Sequence, residues 1–513
     1  MNSLLPGVSG SPATRFALLW LALFATVGVA LVLLYPDSYQ QDGGMHYLFA
    51  RWAWKHQMNF VSVWGRPLFT FLYAFPALLG YPAAKLFTVI ISLALAWQTW
   101  RLAEQLELAR TELVIPFLFL QPSMLLLCAD TMTEPLFALV FVIALRLHLN
   151  GRGPAGMAIA SLLPLARPEG FFIAALWGLW VLFEARGDGP WWQRALSRLP
   201  STLLLASGMF LWWFVALWIM NDPLWLWHNW PQDWNPAGGQ YGSADIWWYF
   251  HKSSQIFGLL LKGPFVIGLL LLLWQRRFLH GVVAFLLIFT LHALMFVRGS
   301  FNAAGYPRYF VCVAPVIALI TLAGWNGIAD VLMKASRFVP ATAVAIILVL
   351  SGIHSLHYVD GWGFARDARG DNEMYQWFRN HAASDHPINN LFWSQAYMCI
   401  LFDRDVWERP MLSGDRPKNL AILHDAPPGT LAFWDNAVGT GWHTITPADF
   451  EAAGYVRLRS HAYQFDGWFF STKWQKHGGP WSQELHLFYK PPPVSRPVQT
   501  VARATIPSEL DAK

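Results

Sequence analysis

Long apolar stretches separated by short polar turns run from residue 16 to residue 353. A hydrocarbon core about 30 Å thick is crossed by roughly 20 helical residues. On that measure the candidate spans are 16–35, 82–100, 113–128, 135–149, 155–166, 169–184, 201–220, 256–274, 280–297, 309–326 and 338–353. They predict a polytopic α-helical membrane domain over residues 1–353 with about eleven transmembrane helices, of which 155–166 is short for crossing without tilt or partners. The first stretch is longer than the apolar core of a signal peptide, about 7–15 residues, and lacks a small-residue cleavage site after it. It reads as a retained span.

Two other patterns interrupt the spans. In the loop 36–81, Met45, Leu48, Phe49 and Trp52 recur at helical spacing, with His46, Arg51 and Lys55 elsewhere around the helix. That pattern predicts an amphipathic helix lying on the membrane surface. Beyond residue 354 the period shortens to apolar runs, "NNLFWS", "GTLAFW", "YVRLRS" and "LHLFYK", with a helical stretch around Asn372–Ala383. Residues 354–490 therefore predict a small external α/β domain, and the Pro-rich segment 491–513 reads as a disordered tail.

Charge orients the spans. With the N-terminus in the cytoplasm, the cytoplasmic turns hold Arg101, Arg110, Arg152, Arg186, Arg194, Arg198, Arg276, Arg277, Lys334 and Arg337. The long loops 36–81 and 221–255 and the C-terminal domain then share the opposite, external side. Composition agrees with a membrane chain: 55% of the 513 residues are hydrophobic, only 13% are charged, and the mean hydropathy is +0.35. The net charge of +5 is spread without a basic run or stripe, which argues against a nucleic-acid partner. Cys128, Cys312 and Cys399 form neither a disulfide framework nor a metal-binding spacing.

Charges at span ends are costly unless paired or hydrated. Four external sites carry them together: "QQDGGMHY" with Asp42 and His46, "CADTMTEPLF" with Asp130 and Glu134, "LARPEGFF" with Arg167 and Glu169, and "RGSFNAAGYPRYF" with Arg298 and Arg308. Each also has a structural explanation. Asp42 and Glu134 suit helix starts, Arg167 and Glu169 a local ion pair, Arg308 a headgroup anchor, and His46 a polar surface. The Trp-rich loop "NDPLWLWHNWPQDWNPAGGQYGSADIWWY" suits either a sugar-stacking surface or an interfacial aromatic belt. All four charged sites fall on one side of a topology drawn from other residues, and that favours a common site.

The order of these motifs resembles the GT-C superfamily of membrane glycosyltransferases, which take sugars from polyprenyl-phosphate carriers. The resemblance lies in Asp42 early in the first external loop, "TMTEPLFAL" after the third span, "SLLPLARPEGFF" and "YPRYFVCVAPVIAL", and it covers residues 15–330. It is similar to the pattern of lipid-dependent mannosyltransferases and protein O-mannosyltransferase-like proteins. A lone Asp42 before two glycines departs from the Asp-Glu or Asp-Asp pair of some branches.

The resemblance implies inverting transfer from a polyprenyl-phosphate-linked sugar to a lipid, glycan or protein acceptor, on the external face of a bacterial inner membrane. Asp42, held at the membrane edge by its Gly-Gly turn, is the expected base, assisted by Asp130, Glu134 and His46. Arg308, then Arg167, Lys252 and Arg298, are the expected ligands of the donor phosphate, supported by Glu169, Tyr306, Tyr309 and Arg66. No cofactor is required by this chemistry, although Asp42 with Asp130 or Glu134 could hold Mg or Mn. A lipid or glycan flippase, a non-catalytic membrane assembly protein, and a ligase using a pyrophosphate carrier are the alternatives.

Overall fold

The computed structural model describes residues 12–35, 41–184, 190–231, 242–361, 366–393, 396–408, 412, 414–436, 438–441, 443–465 and 481–492. The expected tail 491–513 and the middle of the loop 221–255 lie largely outside them. Among the described residues, six helices are long and apolar enough to cross a membrane: Pro12–Leu34, Tyr81–Gln105, Trp191–Met220, Leu279–Val297, Pro307–Leu332 and Val339–Asp360. Shorter apolar helices are Pro67–Leu78, Gly153–Ala166, Glu169–Phe183 and Lys262–Trp274. Phe71, Phe75, Trp218 and Trp274 are among the large apolar side chains turned outward, as lipid contact requires. The chain is a multi-pass membrane protein.

Where a span is broken, a named residue breaks it. The stretch 113–128, expected to be continuous, forms two short helices, Val114–Phe119 and Pro122–Leu127. Pro122 has no N–H to continue the first helix. The freed carbonyls are met by Gln121, whose Nε2 donates to Phe117 O at 3.2 Å and Ala314 O at 3.0 Å. The stretch 256–274 starts late, at Lys262, because Gly258 turns the chain at φ +94°.

Tight packing holds the bundle. A Cβ built on Gly268 would lie 1.9 Å from Ile320 O, and one on Gly324 would lie 1.8 Å from Pro264 O. The helices Lys262–Trp274 and Ala314–Leu332 thus cross backbone to backbone, the small-residue contact that replaces the hydrophobic effect within lipid.

The C-terminal part is built on a four-stranded sheet of β1 (Asn390–Trp393), β2 (Thr430–Asp435), β3 (Val456–Phe465) and β4 (Trp481–Lys490), in the order β1-β2-β4-β3. β1 and β2 pair in parallel, and β4 is antiparallel to both its neighbours. All four alternating runs singled out in the sequence are strands. The expected helix is also present, as Arg366–His381.

One expectation changes. The helix Gln41–Trp52 does not lie with one face open: His46, Tyr47, Leu48, Phe49 and Ala50 are all buried. The external helix Ala396–Leu401 packs against it. Polar residues at its end and just beyond tie down the same unit. Arg51 pairs with Asp403 at 3.2 Å, His56 with Asp405 at 2.7 Å, and Lys55 with Asp405 at 3.0 Å and with Glu408. Protein, rather than headgroups, covers this helix.

Candidate active site

Four chain segments bring their charges to one end of the bundle. Asp42 lies in the first turn of Gln41–Trp52. Its two glycines continue the helix rather than forming a turn, and Gly43 O accepts a 2.7 Å hydrogen bond from Thr131 Oγ1. Glu134 opens the helix Glu134–Leu149 and is fully buried. Arg167 is the last link before the helix Glu169–Phe183. Arg308 begins the final motif at Pro307–Val313 and is buried.

Gly170 explains the spacing of Arg167 and Glu169. A Cβ there would lie 2.2 Å from Leu163 C and 2.3 Å from Pro164 N. Only glycine lets the Glu169 helix start directly against the turn Leu163–Ala166. That start puts both oxygens of Glu169 on Arg167, at 3.1 Å from Nε and 2.8 Å from an Nη. The other Nη of Arg167 donates to Thr133 Oγ1 at 3.0 Å and lies 2.9 Å from Glu134 Oε1.

Arg308 completes a connected array. Its Nη donates to Asp42 Oδ2 at 2.6 Å, and its Nε lies 3.8 Å from Glu134 Oε1. The guanidinium sits over the Tyr306 ring at 4.9 Å and within 5.9 Å of Tyr309. Glu134 therefore lies between two arginines, each of which also holds a second carboxylate. Such bidentate and charge-assisted contacts fix guanidinium planes as well as charges.

Electrostatics sets protonation on the loop side of this array. Burial pushes the Asp42 carboxyl up, but Arg308, with His46 and Arg66, reverses this and holds it below the usual carboxylate range. Asp42 is thus ionised at neutral pH, with its side chain 41% exposed. Burial and the Arg66 charge push the His46 imidazole down to about 3, so it is neutral. Its ring stacks on Trp64 at 5.1 Å. Burial and Arg167 push the Arg66 guanidinium down to about 10, against the pull of Glu169, Glu134 and Asp42.

The remaining sequence candidates are placed differently. Asp130 is buried, and its Oδ1 accepts from Tyr81 Oη at 3.1 Å and from the Thr131 N–H at 2.7 Å, which fixes the turn under the site. Lys252 stands over the Trp248 ring at 4.8 Å. Arg298 is exposed at the end of Leu279–Val297. Sequence reasoning missed His292, which lies 3.4 Å from Glu169 and stacks on Tyr309 at 4.7 Å. Its signal was a lone histidine inside the apolar run "FTLHALMF".

Neither a family model nor a curated protein matches the sequence. Solved structures do. ArnT from Cupriavidus metallidurans in the apo state superposes with a TM-score of 0.57 at 11% identity, over 93% of this chain and 98% of that one. The same protein bound to undecaprenyl phosphate gives 0.58 at 13% identity, with the same coverage. The chain has the fold of ArnT. The likeness takes in both the helical bundle and the C-terminal sheet region, since it spans nearly the whole of each chain. The array of Arg308, Arg167 and three carboxylates, with the Arg66 charge beside it, can do two things: hold an ionised carboxylate beside an incoming hydroxyl, and bind the oxygens of a phosphate.

Proposed function

We propose that the protein is an inverting glycosyltransferase that moves a sugar from a polyprenyl-phosphate carrier to an acceptor hydroxyl on the external face of a bacterial inner membrane. The observation that carries this reading is the Asp42–Arg308 pair, a carboxylate and a guanidinium joined at 2.6 Å at one end of an ArnT-like bundle. The undecaprenyl phosphate bound to ArnT supports a carrier of the same class. The arginines at the other ends of the helices, such as Arg101 and Arg276, support the external face.

In the step itself, the acceptor oxygen attacks the anomeric carbon while Asp42 takes its proton. The bond from that carbon to the phosphate oxygen breaks, and polyprenyl phosphate leaves with the electron pair. Arg308 and Arg66 stabilise the departing charge, the kind of preorganised electrostatic help that is often the largest catalytic contribution. Arg167, already shared by Glu134 and Glu169, positions the array. Because Arg308 donates to Asp42, a donor phosphate that draws Arg308 away also raises the basicity of Asp42 when it is needed.

No step is routed through a metal. Asp42 is matched by Arg308, and Glu134 and Glu169 by Arg167, so these carboxylates are committed to guanidinium partners. The test is binding of undecaprenyl phosphate to the purified chain by native mass spectrometry. Arg308→Gln and Arg66→Gln should each weaken it at least ten-fold. Equal retention by both variants would remove the phosphate-site assignment.

A further inference from the structure

The three helices whose external ends carry Glu134, Glu169 and His292 also carry a second constellation at their other ends. His148 lies in the last turn of Glu134–Leu149, Glu184 caps the C-terminus of Glu169–Phe183, and His280 lies in the first turn of Leu279–Val297. At a rise of 1.5 Å per residue, this is roughly 20 Å from the external array. His148 Nε2 lies 3.1 Å from Glu184 Oε2, and His280 Nε2 contacts the other oxygen, Oε1. The two imidazole rings are 5.2 Å apart. The potential ligand atoms of all three residues lie within 4.8 Å of one another.

We propose that His148, Glu184 and His280 form a binding site for a divalent transition-metal ion of the Zn²⁺ type at the cytoplasmic edge of the membrane domain. Two imidazoles and one carboxylate are a donor set that suits zinc, with bonds of about 2.0–2.2 Å. Tetrahedral placement at that radius separates ligand atoms by roughly 3.3 Å, so small side-chain movements close the site. The carboxylate now bridges the two imidazoles by hydrogen bonds, a geometry in which protons occupy the place a cation would take. The helix ends add to this. Both Glu134–Leu149 and Glu169–Phe183 point their C-termini at the cluster, where a positive charge is favoured.

The surroundings fit a site with one open position. Trp177 and Trp180 wall one side, with Trp180 edge-on to His280 at 4.9 Å and Trp177 edge-on to His148 at 5.5 Å. The Glu184 side chain is 47% exposed, which leaves room for water as a fourth ligand. Among the described residues the buried His148 Nδ1 has no acceptor, and lack of such an outer partner lowers metal affinity by about 10- to 100-fold. Micromolar rather than picomolar binding is therefore expected. The bound ion would cross-link the three helices that present Glu134, Glu169 and His292, a structural role apart from sugar transfer.

The test uses the full chain in detergent, freed of any purification tag and stripped by chelator. Equilibrium dialysis against about 50 µM Zn²⁺ should load one ion per chain by elemental analysis. Glu184→Gln and His280→Ala should each reduce this at least ten-fold while remaining monodisperse, and Asp42→Asn should retain it. Co²⁺ should give visible d–d absorption in the wild type and lose it in Glu184→Gln. Failure of the wild type to load one ion, or equal loading of Glu184→Gln and His280→Ala, would overturn the site.

Discussion

Arg308 reaches across 266 residues of sequence to donate a 2.6 Å hydrogen bond to Asp42, and the pair joins the first external loop to the start of a late span. Under the proposed function, this carboxylate and this guanidinium meet the acceptor and the lipid-borne phosphate. The two residues therefore give the sharpest predictions.

Asp42→Asn should lower turnover by roughly 10²- to 10⁴-fold while leaving expression and thermal stability near wild type, because it removes a general base and keeps the side chain's shape. The loss should fall on kcat more than on KM for the donor. A folded Asp42→Asn protein with wild-type kcat would reassign the base.

Arg308→Lys should lower kcat/KM by roughly ten- to a hundred-fold, the equivalent of about 1.5–3 kcal/mol for a hydrogen bond to a charged group. An ammonium keeps the charge but cannot reach Asp42, Glu134 and a phosphate with one planar fork. If Arg308 only anchored the span at the headgroups, lysine would serve nearly as well. Donor-concentration series on the two proteins separate these outcomes.

The pH profile follows from the sign of the Asp42 shift. A base with a lowered pKa stays ionised to lower pH, so the acid limb of kcat/KM should lie below the ordinary aspartate value of about 3.9. Arg308→Gln removes the main lowering influence, and the limb should move to higher pH. With donor phosphate drawing Arg308 away, the acid limb of kcat should lie above that of kcat/KM. Coincident limbs in wild type and Arg308→Gln would show that the pair does not set the protonation of Asp42.

How much of this was legible in the sequence differs from residue to residue. Asp42, Glu134, Arg167 and Arg308 stood out because an ionised group at a span end is expensive in lipid and rare without a purpose. Glu169 was visible as a neighbour of Arg167, but the need for Gly170 was not, since a close approach of backbones leaves no periodic trace. The pairing of residue 42 with residue 308 depends on the bundle topology, which local pattern does not contain. The amphipathic helix was recognisable as Gln41–Trp52, yet its apolar residues could not say whether lipid or protein would cover them. The four strands were legible as short apolar runs bounded by polar and turn residues, too short for spanning helices.

Gly170→Ala tests the packing that sets Arg167. The added methyl would meet the Leu163–Pro164 backbone at 2.2–2.3 Å, which cannot rotate aside. Overpacking of this kind costs about 1–3 kcal/mol or more. Thermal unfolding in detergent should show the loss, together with weaker donor binding as Arg167 and Glu169 shift. A variant with wild-type melting temperature and donor affinity would mean that the turn has another way to relax.

Topology can be read by labelling, since Cys128, Cys312 and Cys399 are all buried. Cysteines at Asp245 and His424 should react with a membrane-impermeant thiol reagent in intact spheroplasts, and one at Gln193 only after lysis. Equal labelling of Gln193 and Asp245 would break the span count between them.

The central claim is donor turnover, and it is measured as free polyprenyl phosphate released in proteoliposomes carrying the purified protein. The liposomes are supplied with polyprenyl-phosphate-linked sugars and a membrane extract as the source of acceptor. Mass spectrometry of the lipids should show one such donor consumed, free polyprenyl phosphate formed in equal amount, and an acceptor heavier by one sugar residue, with none of these changes for Asp42→Asn. Donor pools that stay unchanged with the wild-type protein, or that fall equally with Asp42→Asn, would contradict the account.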